Sequence, residues 1–297
     1  MQVTAHCFTY GVKIDQHSVS FPFKDTILSV SYHKQDNKDG LMLQLSKEVT
    51  TSELSTEDEI QDDQGLFIEK RMRPYKEMLT EAAQLVEGLF SVFFLATPPK
   101  FDTDRIIVNV ITESPEEEEL VRLGRVTGGF GNINQPFQGS VYSITEKITS
   151  TVVQATEHLP ALSFLAQGIR SQHQGDQEVA FFLYFRIIDG YFSDGVTHIE
   201  NALLAKAQEL SNYLTYNEET KNATKGILLI LQLPSKSDTN FNGFISDITL
   251  IRHKLTHFSK TNAERHHRAG IKFDLNILNF HLRVACVRIL LDEIGAK

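Results

Sequence analysis

The stretch Gly243-Phe244-Ile245-Ser246-Asp247-Ile248-Thr249-Leu250-Ile251-Arg252-His253-Lys254-Leu255-Thr256-His257-Phe258 decides how the second half of the chain is read. Apolar Phe244, Ile248, Ile251, Leu255 and Phe258 recur at three- and four-residue steps. That spacing predicts an amphipathic helix over 243–258 with one buried stripe. Arg252 borders the stripe. His253 and His257, one turn apart, share the opposite, polar face. At about 100° per residue, Arg252 and His257 project about 140° apart. They can reach one ligand only if the helix ends or bends between them, or if a second subunit completes the site.

The sequence just beyond is basic. Residues 252–272 carry Arg252, Lys254, Lys260, Arg265, Arg268 and Lys272 against Glu264 alone, with His253, His257, His266 and His267 interspersed. Such a strip suits phosphate oxygens; the competing reading is a solvated basic loop. The whole chain, by contrast, has a formal net charge of -9, which argues against a generic polyanion binder. Residues 1–140 hold 13 Lys+Arg against 22 Asp+Glu, leaving 16 against 16 for the rest, so all the acid excess is in the first half.

A chain of 297 residues has room for two domains, each with its own core. No uninterrupted apolar run approaches the roughly 18 residues a membrane helix needs, and MQVTAHCFTYGVK lacks a secretory pattern, so a cytoplasmic protein without membrane contact is expected. Cys7 and Cys286 stand far apart without CxxC spacing. Neither a disulfide framework nor a cysteine zinc site follows; they read as reduced thiols.

Short alternating runs at Val3 to Tyr10, Val19 to Phe23, Ile27 to Tyr32 and Leu41 to Leu45, punctuated by turn signals, read as strands and hairpins. Acidic Thr50 to Gln64 reads as an exposed loop. Pro74 sits where a helix can begin, and Met78, Leu79, Ala82, Leu85, Val86, Leu89, Phe90 and Phe93 give that helix an apolar face to about Phe94. Pro98-Pro99 closes it, and Arg105 to Ile111 is a strand. This first domain is therefore α+β and β-rich, with a covering helix. Gly124 to Gly139 contains Gly128-Gly129-Phe130-Gly131 but neither GK[ST] nor GxGxxG, so it reads as a linker, and the boundary falls at about 139.

From Ser140 the pattern is helical. Val141 to His158, Ala161 to Gln172 opened by Pro160, Glu178 to Tyr191, Thr197 to Tyr213, Glu218 to Leu233, the 243–258 helix and Lys272 to Ile294 make an all-α bundle over 140–297. Glu178 to Tyr191 is apolar nearly all round, as a central or interface helix is. On the last helix, Phe273, Ile277, Phe280, Val284, Val287 and Leu291 mark the expected buried face.

Arg252 is a fixed cation that can bind phosphate in bidentate fashion, and His257 has the side chain suited to proton transfer near neutral pH. Together they are a minimal set for cleaving RNA without a metal. The imidazole takes the ribose 2′-hydroxyl proton, the oxygen attacks the adjacent phosphorus, and the guanidinium steadies the developing charge.

In its helical setting, Arg252-His253-Lys254-Leu255-Thr256-His257 resembles the Arg-polar-x-x-x-His motif of the HEPN domain (higher eukaryotes and prokaryotes nucleotide-binding), with His253 at the polar position. The resemblance covers residues 140–297. It implies an RNA endonuclease acting as a homodimer, with two motifs facing each other across a two-fold axis. It implies Arg252 and His257 as the catalytic pair, His253 as an auxiliary polar group, and a role as toxin or antiphage-defence effector restrained by an antitoxin or regulatory partner. No cofactor is implied. Lys254, Lys260, Arg265 and Arg268 are added from the charge pattern as phosphate-binding candidates.

Three readings compete. Arg252 could serve only to pair with Asp247 or Asp274. The bundle could be a non-catalytic HEPN-type dimerisation or ligand-sensing module. His253 and His257 have the spacing of a zinc pair, but Lys254 occupies the position where zinc proteases carry glutamate, so no metal is expected.

Overall fold

The computed structural model describes residues 2–10, 12–14, 18–35, 38–50, 66–94, 98–111, 114, 140–142, 146–193, 198–256 and 269–296. They form a mixed α+β chain: an antiparallel sheet towards the N-terminus and a mostly helical remainder. The chain divides into two compact units, Met1–Leu89 with Pro99–Leu159, and Phe90–Pro98 with Pro160–Lys297.

The first unit contains strands β1 (Gln2–Tyr10), β2 (Val12–Ile14), β3 (Ser18–Phe23), β4 (Thr26–Gln35), β5 (Lys38–Glu48), β6 (Ile107–Ile111) and β7 (Ser140–Tyr142). Five of them pair antiparallel in the order β3-β4-β5-β1-β6. The pairs Leu28 with Leu45, Val30 with Leu43, Cys7 with Leu43, and Ala5 with Leu45 and Val108 put one apolar set on one face, and all of these residues are buried. Ser29, Ser31, Gln44 and Ser46 alternate with them and are only half-buried, the two-residue period of a sheet with one face on the core. Between β3 and β4 the chain reverses through Lys24-Asp25, with Lys24 at φ 54°. Lys24 there pairs with Glu81 of helix α1 (Leu66–Phe94).

Helix α1 buries Leu79, Ala82, Leu85, Val86 and Leu89, the apolar positions expected to cover the sheet. It starts earlier than expected, at Leu66, and carries Pro74 inside it rather than at its start. A proline forfeits one backbone hydrogen bond and crowds the preceding turn, and 29 residues leave turns on either side to hold the helix together. Buried Glu87 of the same helix accepts the Phe101 amide at 2.8 Å, anchoring the return towards β6. Residues 140–142, expected to open a helix, instead form β7, which pairs parallel with β2. The helix that follows, α2 (Glu146–Glu157), packs against β3 and belongs to this unit. The loop expected at 50–64 and the glycine-rich stretch 124–139 lie, apart from Thr50, outside the described residues.

The second unit holds α3 (Leu159–His173), α4 (Gln177–Phe192), α5 (Ile199–Ala205), α6 (Ala207–Leu210), α7 (Glu218–Ile230), α8 (Phe241–Thr256) and α9 (Ala269–Glu293). Pro160 stands in the first turn of α3, where a missing N–H costs nothing. Helix α4 buries Ala180, Phe181, Tyr184, Phe185, Ile187, Ile188 and Phe192 and packs against α5, α8 and α9. Gly168 of α3 lets the Tyr184 ring lie on that helix, since a Cβ there would come 2.6 Å from the ring. The Tyr184 hydroxyl donates to Gln172 at 3.0 Å, and the Gln172 amide reaches Asn276 of α9 at 3.4 Å. Asn279 donates to the Gln177 carbonyl at 2.7 Å. The stretch 197–213, expected as one helix, turns at Lys206 (φ -101°, ψ 17°) into α5 and α6, although Lys206 N to Ala202 O and Leu210 N to Lys206 O still bridge the junction.

Helix α9 corrects the expected core face. Ile271, Leu275, Leu278, Leu282, Ala285, Cys286, Ile289 and Leu290 are buried, whereas Phe273 is 67% and Phe280 50% exposed, with Ile277 and Val284 half-buried between them. Of the stripe expected inside, Val287 is buried. The helix is apolar on two sides, so periodicity finds two stripes and cannot rank them.

Both cysteines are fully buried, and burial, their largest perturbation, pushes each thiol far above its usual range. A buried thiol that cannot ionise is a poor nucleophile. Ellman's reagent should therefore find no fast-reacting thiol in the native chain and two after denaturation; a rapidly reacting native thiol would contradict this packing.

Candidate functional site

Helix α8 carries the Arg252 motif, and the loop before it fixes where that helix begins. Helix α7 starts under a capping box in which Asn217 accepts the Thr220 amide at 3.0 Å and Thr220 accepts the Asn217 amide at 3.0 Å. It ends with Gln232 in the left-handed region (φ 57°) and Leu233 N bonded to Leu228 O at 2.8 Å. Residues 233–240 then fold back onto α8.

Asp247 holds that fold-back. One of its carboxylate oxygens accepts the Ser235 hydroxyl at 2.6 Å, the Lys236 amide at 2.7 Å, the Ser237 amide at 2.8 Å and the Ser237 hydroxyl at 2.7 Å. Asp247 is 1% exposed, so these donors replace the water it has lost. Gly243, one turn earlier, is needed for the same approach, because a Cβ there would lie 2.1 Å from the Lys236 carbonyl oxygen. Asn240 caps the helix by accepting the Gly243 amide at 2.9 Å. Tyr216, stacked near Phe241 and Phe244, donates to the Ser237 carbonyl at 2.7 Å.

Beyond this clamp, Phe244, Ile245, Ile248, Ile251 and Leu255 are buried and give α8 its inner face. Arg252 is half-buried at the edge of that face, His253 is exposed, and Lys254 is half-buried. All three stand in the last described turn, which runs to Thr256. His257, Lys260, Arg265, Arg268, His266 and His267 lie outside the described residues. Of the expected site residues, Arg252, His253 and Lys254 are therefore seen together on one turn, and the remainder are not placed.

The two acids weighed as partners for Arg252 differ in their surroundings. Asp247 is engaged with the loop, and a Cβ on Gly226 of α7 would meet the Asp274 carboxylate, whose pKa is raised by burial. The clamp role of Asp247 was missed from sequence, yet a signal existed: an acid three residues after Phe244 and four before Ile251 falls on the buried face, where it needs dedicated donors.

Two other features are poorer candidates. A cleft of about 410 Å³ in the first unit is lined by Lys76, Glu77, Thr80, Glu81, Thr103, Asp104 and Ile106. Three carboxylates beside one amine give it no preference for phosphate. Among the described residues, no three His, Cys, Asp or Glu side chains gather as a metal-ligand set, and no helix is long and apolar enough to cross a membrane.

Asp247→Ala should take the acceptor from two amides, that of Ser237 buried, and from two hydroxyls, and destabilise the chain by about 3 kcal/mol. The check is the urea midpoint: a change within error would show that the clamp contributes little.

Compared with known protein families, with curated proteins and with solved structures, the chain matches none.

Proposed function

We propose that the chain is a metal-independent RNA endonuclease of the HEPN type, acting in the cytoplasm as a toxin or antiphage-defence effector. Arg252 and His257 are its catalytic pair, His253 is auxiliary, and Lys254, Lys260, Arg265 and Arg268 hold backbone phosphates. The His257 imidazole accepts the 2′-hydroxyl proton while the O2′–P bond forms. The P–O5′ bond then breaks, and the leaving oxygen takes a proton to become a 5′-hydroxyl, with a 2′,3′-cyclic phosphate on the other product. Arg252 stabilises the charge on the non-bridging oxygens. DNA lacks the attacking hydroxyl and is not cut.

What carries this reading is the combination at the end of α8. Ile251 and Leu255 are buried around Arg252-His253-Lys254, so a rigid helix presents three cationic or proton-carrying side chains in one turn. The wide angle between Arg252 and His257 calls for a homodimer, in which one protomer supplies the guanidinium and its partner the imidazole. Self-association has an available surface: Phe273, Ile277, Phe280 and Val284 form an apolar stripe along α9, and such exposed stripes commonly mark interfaces. The same stripe supports a second reading, a non-catalytic HEPN-type dimerisation or ligand-sensing module, in which RNA is not cleaved. An antitoxin or other regulatory partner would restrain the first and could be sensed by the second.

Two experiments separate these readings. RNA incubated with the full chain in EDTA should be cleaved to 2′,3′-cyclic-phosphate ends. Arg252→Ala and His257→Ala should each lower the rate by about 100-fold or more. RNA binding without cleavage supports the second reading, and cleavage unchanged in both variants rules out the assigned pair. Phe273→Asp with Phe280→Asp should convert a dimer to a monomer in sedimentation without loss of helical circular dichroism. A dimer that survives both changes would move the interface elsewhere.

A further inference from the structure

On the outer side of α9, Phe273, Ile277, Phe280 and Val284 follow one another at steps of four, three and four residues. That alternation is how one helix presents a seam to another. Phe273 is 67% and Phe280 50% exposed, and Ile277 and Val284 are half-buried between them. Val287, next in the series, is already buried within the protomer, so the open part of the seam runs from Phe273 to Val284.

This seam is its own mate. Turned end for end, the steps again read four, three and four, and each ring falls against an aliphatic side chain: Phe273 on the partner's Val284, and Phe280 on the partner's Ile277. Two copies laid in the same direction would set ring on ring and aliphatic on aliphatic, giving layers that are crowded and thin by turns. The charges beside the seam favour the same direction. Asp274 and His281 border it on one flank, and Asn276 and Arg283 on the other. Antiparallel helices bring like flanks together, so Asp274 comes beside the partner's His281 and Arg283 beside the partner's Asn276. The parallel alternative would bring Arg283 beside the partner's Arg288, a repulsion.

Asp274 has a use for such a partner. It is half-buried against α7, where a Cβ on Gly226 would lie 2.0 Å from its carboxylate oxygen, and among the described residues it makes no ion pair. His281 is steadied on the same flank by Glu219 of α7, whose carboxylate is 3.1 Å from Nε2. Because α9 is already folded into the bundle, pairing would order side chains and no new backbone.

We infer that the outer face of α9 binds the same face of a second copy of this chain, antiparallel, about a two-fold axis passing between Ile277 and Phe280. The inference rests on the self-association proposed above and supplies its arrangement. It does not need RNA to be cut, so cleavage and association can fail separately.

The test is disulfide trapping of the full chain carrying Phe273→Cys and Val284→Cys, with circular dichroism to show that it is folded. Within one helix these positions stand about 16 Å apart along the axis, too far to join, and the native thiols are buried. Trypsin cuts after Lys272, Arg283 and Arg288, so the introduced thiols fall on separate peptides, 273–283 and 284–288. Mild oxidation should give a covalent dimer in which one peptide is joined to the other. Each peptide joined to its own kind means a parallel pair and overturns the arrangement. A variant that sediments as a dimer yet forms no disulfide overturns the interface. Should the cysteines dissociate the dimer, charge reversal answers instead. His281→Asp, which sets a carboxylate against the partner's Asp274, should weaken association by about tenfold, and adding Asp274→Lys should restore it; loss without restoration overturns the pairing. A parent chain that stays monomeric up to about 0.1 mM also overturns it and assigns the seam to a different protein.

Discussion

Helix α4 is apolar on most of its sides and gains stability by being covered, while Val179, Arg186 and Gly190 stay exposed along it. Its buried phenylalanines, isoleucines and tyrosine face α5, α8 and α9 in turn. Fully burying an aromatic or branched side chain contributes about 1.5–3 kcal/mol, so covering α4 is a large favourable term in the helical unit. Other features serve that enclosure. Gly168 removes the side chain that would hold α3 off Tyr184, and Asn279 satisfies the backbone carbonyl of Gln177 in the α9 contact.

The motif helix depends on the same enclosure and on one polar device besides. Apolar packing fixes which way α8 faces but not where it starts, because a helix can slide along a greasy groove at small cost. The Asp247 carboxylate, with four donors from Ser235 to Ser237, has only one satisfactory position. The axial setting of Arg252, five residues beyond Asp247 on the same helix, follows from that anchor. A buried polar network of this kind confers position more than stability.

Helix α9 carries more apolar surface than one core can use. Eight buried positions line its inner side, and Phe273 and Phe280 still face outward. Exposed apolar stripes of this kind commonly mark interfaces.

Strand and helix identities were largely legible in the sequence because they are local. The alternation in Ile27 to Tyr32 and Leu41 to Leu45, and the three-four spacing of Phe244, Ile248, Ile251 and Leu255, write the period of the backbone directly into the side chains. The same spacing set Arg252 at the edge of the buried stripe and His253 on the exposed side, where they are found. Local patterns fail where the deciding neighbour is distant. Residues 140–142 are a strand because β2 offers them a ladder more than a hundred residues away. Helix α1 runs through Pro74, although a proline alone reads as a start. Which of two apolar stripes on α9 goes inside is settled by the helices that pack on it, and the work of Asp247 is settled by a loop that reaches it only after the chain has folded. Periodicity is a property of one segment, whereas burial is a property of the segment and its neighbours, and only the tertiary structure supplies the second.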